Sequence, residues 1–346
     1  MRHSVSTKLT ALAGVGLLGL SLAGCNAAAP SNAKSDNSGP SLILVTPEPA
    51  GSNPFLKLAT DGIAKAAKAA KGTSRVFESA DISKVGEQLD AAVAAKPAVV
   101  AAVGFEFVDA ITAVAPQNPD QKFLLVDACT ANPLPNVTCA VFREHEAVYL
   151  AGVEAGLLTK SNKIGAIVAL DTPQIRRFSD PFGVGAKSSN PKASFAPLYV
   201  GGQKPFNDPG RAKEQTLSLA NSGVDIVIAA SAAGNSGVFD AAKNAGIHAV
   251  GVDTNQCPGA PGVVLDNVLK EVDVVVEKSV ATILAGEASG TKSYGLAEGA
   301  VTLTSMTDDV AGSGCVIAEH QDVIKELTTV RDRIVSGEVK VDDPAA

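Results

Sequence analysis

From residue 42 onward, short runs of β-branched and apolar residues alternate with longer Ala-rich stretches, and this alternation is what most restricts the fold. Strands are expected at Leu42–Val45, Arg75–Glu78, Ala98–Val103, Phe123–Val126, Val137–Phe142, Ile164–Leu170, Ser194–Val200, Asp225–Ala229 and Ile247–Val252. Helices are expected between and after them, at Asn53–Ala70, Lys84–Ala95, Val108–Ala115, Glu146–Leu158, Ile175–Ser188, Gly210–Asn221, Gly237–Asn244 and Leu269–Ala285. Several strands are apolar along their whole length, so both faces must be covered. That pattern belongs to parallel α/β sheets with helices on each side. Nine or more strands is long for one such sheet, and two doubly wound lobes are expected. No internal repeat with a period of 20–50 residues is visible. Ligands of open α/β sheets bind outside the carboxyl ends of the strands. The tails Val126-Asp127, Ala229-Ala230-Ser231 and Val252-Asp253 are therefore expected to line a cleft between the lobes.

The first forty residues follow a different rule. Arg2, His3 and Lys8 precede an apolar run from Leu9 to Ala23 that ends in Leu22-Ala23-Gly24-Cys25. A charged start, a short apolar core and small residues before a cut form a secretory signal. The run is short of the roughly 20 apolar residues a membrane span needs. Small-small-Cys at its end is the lipobox pattern, in which the cysteine takes a diacylglyceryl group. Residues 1–24 are thus expected to be a lipoprotein signal peptide, Cys25 the lipid anchor and 25–40 a flexible tether. The tether is small, polar and unable to bury a core. The protein is expected on the extracytoplasmic face of a cell membrane, held by lipid.

Composition removes several alternatives. The 346 residues carry 29 basic and 36 acidic side chains and a net charge of −7, with no basic tract, which argues against a nucleic-acid partner. Beyond Cys25 four cysteines remain, an even number outside the reducing cytosol. Of the three possible pairings, Cys129–Cys139 with Cys257–Cys315 is favoured because the first pair closes a short loop; the alternative is four free buried thiols. No C-x-x-C occurs and no His lies near a Cys at ligand spacing, so neither a metal site nor a cofactor is expected.

Catalytic motifs fail one by one. His145-Glu146-Ala147-Val148-Tyr149 lacks the second His of a zinc protease helix, and Glu144 and Glu146 suit a first helical turn instead. Residues 286–293 have the wrong spacing for a phosphate loop. Gly234-Asn235-Ser236-Gly237 is no nucleophile elbow, but it stands between a strand and a helix, where backbone N–H groups can meet a ligand oxygen. The chain is expected not to be an enzyme.

Seven segments, in order, resemble the basic membrane protein family, the substrate-binding lipoproteins of ABC transporters that carry purine nucleosides. They are Gly104–Ala110, Phe123–Asp127, Val141–Glu146 running on to Leu150-Ala151-Gly152, Ile175–Phe178, Phe206–Pro209, Gly251–Asp253 and Leu269–Asp273. The resemblance implies the type I periplasmic-binding-protein fold, with three hinge crossings and closure around the ligand. On that reading residues 41–142 and 266–300 form an N-terminal lobe, and 143–265 and 301–340 a C-terminal lobe. It implies a monomer that passes a nucleoside, expected to be a purine, to permease subunits. Phe55 and Phe206 would sandwich the base and Asp127 would face it. Asp253 and Lys270 would hold the ribose hydroxyls, helped by backbone near Gly234. Family members usually read Asp-x-Ser-Phe-Asn near the first helix, where this chain reads Ser52-Asn53-Pro54-Phe55-Leu56. The ring is kept and Asn53 is left as the polar contact. The rival expectations are a receptor of the same fold for a sugar or another small signalling molecule, or a surface nucleoside hydrolase.

Overall fold

The computed structural model describes residues 39–287 and 289–346. The signal peptide, Cys25 and nearly all of the tether expected over 25–40 lie outside the described residues. Two six-stranded sheets form the body. The first contains β1 (Ser41–Thr46), β2 (Thr73–Glu78), β3 (Val99–Val103), β4 (Lys122–Val126), β5 (Val137–Phe142) and β11 (Gly290–Tyr294), in the order β11-β5-β4-β3-β1-β2. The second contains β6 (Lys163–Val168), β7 (Ser194–Tyr199), β8 (Ile226–Ala230), β9 (His248–Asp253), β10 (Val264–Lys270) and β12 (Val301–Leu303), in the order β12-β10-β9-β8-β6-β7. Every pairing is parallel except β10 with β12. Leaving aside β11 and β12 at one edge, the five remaining positions of the two sheets have the same order, so each lobe is built on one plan.

Strand sequence explains the layering. Leu42–Val45 and all of β3 are fully buried, because helices cover both faces of the sheet. On one face of the first sheet lie α1 (Pro54–Ala69) and α9 (Val272–Leu284); α2 (Val85–Ala94) and α3 (Val108–Val114) cover the other. The second sheet carries α7 (Pro209–Asn221) and α8 (Asn235–Ala245) on one face. On its other face lie α4 (Glu144–Leu158), α6 (Asp180–Ser189) after the short α5 (Pro173–Arg176), and α10 (Gln321–Val335). Helix α4 is buried on nearly every side because it is enclosed by α6, α10 and the sheet. Its approach to α6 requires glycine: a Cβ on Gly152 would stand 2.2 Å from the Phe182 carbonyl, and one on Gly185 would stand 2.1 Å from that of Tyr149.

The hinge runs where β5 leads into α4, where β10 leads into α9, and where β11 leads into β12. The helix after the last inner strand of each lobe therefore packs on the opposite lobe. Three strands and one helix depart from the expected pattern. β10 was hidden by Asp266-Asn267, residues that disfavour strands. Here both are fully buried and satisfied: Asp266 accepts from the Asn267 and Ser305 amides, and Asn267 Nδ2 donates to Asn255 and Thr304. Because β10 belongs to the second sheet, the return to the first lobe falls after Lys270 and not at 266. The helix expected from Leu269 starts at Val272 for the same reason. β11 and β12 are short edge strands, and α10 is an amphipathic helix that buries Val323, Leu327, Val330 and Ile334. The structure joins Cys129 to Cys139 and Cys257 to Cys315, with Cα atoms 5.3 and 5.0 Å apart.

Candidate functional site

A cavity of about 680 Å³ opens at the carboxyl ends of the strands, with walls from both lobes. Asn53, Phe55, Phe105, Glu106 and Asp127 line it from the first lobe. Ile175, Phe178, Phe206, Val252, Asp253 and Lys270 line it from the second.

Local sequence sets each position. Asn53 caps α1 through Oδ1, which accepts from the Leu56 amide at 3.3 Å, and Pro54 takes the first helical position, where no amide is needed. The cap throws Phe55 out of the first turn into the cavity. Asp127 just after β4 and Asp253 at the end of β9 stand at the tips of equivalent inner strands of the two lobes, and both hold a left-handed backbone, with φ of 74° and 70°. Two non-glycine residues in that region, at matching strand ends facing one cavity, mark strain kept at a site. On the second lobe Asp208 caps α7, accepting from the Arg211 amide at 3.0 Å, with Pro209 next. Phe206 precedes this cap, at the lip of the cavity.

Lys270 is the centre of the electrostatics. It ends β10 with its side chain 3 % exposed, bonded to Asp127 and to Glu144, whose Oε1 lies 2.6 Å away. Its ammonium also stands 4.8 Å from the Phe55 ring centroid, 4.5 Å from that of Phe142 and 5.9 Å from that of Phe178. Burial opposes the Lys270 charge, but Asp127, Glu144 and Asp253 more than offset this and hold its pKa above the usual lysine value. One cation cannot compensate three acids. Glu144 is buried, yet Lys270 and Arg177 keep its pKa below the ordinary carboxylate value. Burial pushes Asp127 up to about 7 against the pull of Lys270, with the Glu144 charge adding to the rise. Burial likewise pushes Asp253 up to about 6, again opposed by Lys270. The ion chain continues outward. Arg177 Nη1 is 3.8 Å from Glu144, and Arg177 clasps Asp343 through two bonds of 2.7 Å.

The structure thus brings Asn53, Phe55, Asp127, Phe206, Asp253 and Lys270 into one cavity. Gly234 is not among its walls. Its N–H is turned inward, donating to the carbonyls of Ser231 at 2.9 Å and Phe206 at 3.3 Å, so it braces the Phe206 loop instead of facing a ligand. Four further participants escaped the sequence reading: Glu144, Arg177, Phe178 and Glu106. All four stand inside the segments that carry the family resemblance, but only burial and contact distinguish them from their neighbours. Among the described residues, no group of three His, Cys, Asp or Glu side chains is placed to hold a metal, and no helix is long and apolar enough to cross a membrane.

Comparison with known proteins adds an independent finding. The family described as "ABC transporter substrate-binding protein PnrA-like" matches residues 40–343. The "CD4+ T-cell-stimulating antigen" of Listeria monocytogenes serovar 1/2a is 30 % identical over 310 residues, covering 83 % of each chain. The "ABC transporter nucleoside-binding protein BmpA" of Lactococcus lactis subsp. cremoris is 36 % identical over 141 residues, 41 % of this chain and 39 % of that one. Among solved structures, an ABC transporter solute-binding protein from Aeropyrum pernix K1 superposes with a TM-score of 0.78 at 24 % identity, covering 88 % of this chain and 94 % of its own. The last comparison speaks to the fold alone, and the fold it speaks for is two parallel α/β lobes.

Proposed function

Because this chain belongs to the Bmp family of PnrA-like ABC transporter substrate-binding proteins, we propose that its cargo is a nucleoside, expected to be a purine, held in the cavity between the lobes. The observation that carries this reading is the convergence of Phe55, Phe206, Asp127, Asp253 and Lys270 on one space of about 680 Å³. Phe206 and Phe55 offer rings for the base, and base–aromatic stacking contributes about 1–3 kcal/mol per base. Asp253 is the acceptor for the ribose diol, since a charged acceptor makes the stronger hydrogen bonds. Lys270, bonded to Asp127 and Glu144, favours the charge of that carboxylate through space and contacts the Phe55 ring. Asn53 has its oxygen committed to the helix cap, so it offers the cavity its amide N–H groups. The printed name of the Lactococcus relative, a nucleoside-binding protein, supports the same cargo. Lobe closure completes the site, and the loaded monomer delivers its cargo to the permease subunits of the importer.

Mass spectrometry of small molecules released from gently denatured protein is expected to find a nucleoside; a sugar in its place would overturn the reading. After stripping, inosine, guanosine or adenosine at a hundredfold excess over Kd should stabilise the protein by about 2.7 kcal/mol. Asp253→Ala should abolish that shift, because the diol then faces no charged acceptor.

The N-terminal expectation belongs to the same proposal. Acylation of Cys25 would hold a cleft-bearing protein beside its transporter and raise its effective concentration there. Cys25→Ser should leave the detergent phase for the aqueous phase on phase separation; a variant that stays with the detergent would rule out this anchor.

A further inference from the structure

We propose that Glu106 reads the edge of the base and selects 6-oxopurine nucleosides, such as inosine and guanosine, over 6-aminopurine ones. The inference rests on the nucleoside reading and adds the residue that sets specificity. Glu106 follows β3 in the 3-10 turn Phe105–Phe107 and lines the cavity from the first lobe. Among the described residues the only donor offered to its carboxyl is its own backbone N–H. The turn is built to accommodate that carboxyl: Gly104 holds φ of 112°, and a Cβ there would stand 2.3 Å from Glu106 Oε2. Its neighbour Phe105 meets Phe206 across the cleft, with ring centroids 6.4 Å apart. Glu106 thus shares the cavity with the ring assigned to the base, one residue on from the Phe105 that meets it. The ribose ligands Asp253 and Lys270 rise from β9 and β10 of the opposite lobe.

A half-buried carboxyl whose one donor among the described residues is its own amide gains from a donor on the ligand, because a poorly supplied carboxylate is costly to desolvate when the ligand covers it. A 6-oxopurine presents N1–H at its edge; a 6-aminopurine presents a bare N1 lone pair, which a carboxylate repels. The charged groups that share the cavity are Glu48 and Asp81 on first-lobe loops, Asp127 after β4, and Lys204, Asp253 and Lys270 from the second lobe. Burial first, then the Asp127 and Glu48 charges, push Glu106 up to about 7. Above that pH it is a carboxylate and accepts N1–H. Below it the protonated acid donates to a bare N1, and the preference weakens.

The test measures Kd for inosine and adenosine on stripped protein at several pH values either side of about 7. The ratio of adenosine Kd to inosine Kd should be about tenfold or more at the alkaline end and fall as pH drops. Asp127 and Asp253 also titrate in this range, so the variants decide. Glu106→Gln, which offers both donor and acceptor, and Glu106→Ala should each bring the ratio toward unity and flatten its pH dependence. A ratio and slope unchanged in both folded variants, with nucleosides still bound, would overturn this inference alone. Failure of wild type and variants to bind any nucleoside would overturn the nucleoside reading as well.

Discussion

Lys270→Met is expected to abolish ligand binding and to cost about 3–5 kcal/mol of stability, the range for removing one partner of a buried ion pair. Lys270 and Glu144 are each 3 % exposed, so losing the ammonium leaves the buried Glu144 carboxylate without its nearest cation. The pH dependence follows from the signs. In the wild type, Glu144 has a lowered pKa, so its contribution is present above the ordinary carboxylate range and lost as pH falls. Without Lys270, burial would raise Glu144 instead, and the variant would lose stability as pH rises. Thermal melts at about pH 5 and about pH 8 should therefore separate wild type and variant most at the higher pH. The double variant Lys270→Met with Glu144→Gln should recover part of the loss at the higher pH without recovering binding. A Met variant that melts like wild type and binds nucleoside would refute the central role given to Lys270.

A second large effect is expected far from the cavity. Glu154 on α4 and Asp266 on β10 are both fully buried, and among the described residues no donor reaches either Glu154 oxygen. Burial and the Asp266 charge hold the Glu154 pKa well above its ordinary value, so it is the protonated partner that bonds Asp266. Asp266, with the Asn267 and Ser305 amides at 2.7 and 3.1 Å, is the better-supplied acceptor. A raised pKa gives stability that is complete below the ordinary carboxylate value and lost as pH rises through the raised one. Glu154→Gln keeps the hydrogen bond, with an amide donor, and removes the titration. The variant should melt at the wild-type temperature at about pH 4 and several degrees higher at about pH 8. Equal melting temperatures at both pH values would show that the pair does not share a proton.

The strand-helix alternation and the apolar strands made the two-lobed fold legible, because burial on both faces leaves a simple compositional mark. Where buried polar residues interrupt a strand, that mark fails. Asp266-Asn267 hid β10, and with it the fact that Lys270 closes a strand instead of opening a helix. In the cavity, strand-end acids were legible because an acid after an apolar run has a position to fill. Glu106 and Glu144 stand in segments singled out for other reasons, and no spacing rule says which acid in a cluster faces inward. Gly234 shows the opposite failure. A glycine between strand and helix has N–H groups to give, and only the structure shows that the Phe206 loop takes this one.

The exchange of α4 and α9 between the lobes also bears on the order of events during synthesis. The first sheet receives β11, and the outer cover of α1, only from residues 272–294. The side of α1 where Gly62 meets Asp273 and Val276, and where Lys65 pairs with Asp273, waits for residues 208 positions further along the chain. Domains commonly fold as they are made, N-terminal first; here the first lobe is completed almost last, after most of the second. A nascent chain built this way holds its earliest half open for nearly the whole of its production, and neither lobe can be excised as one continuous fragment.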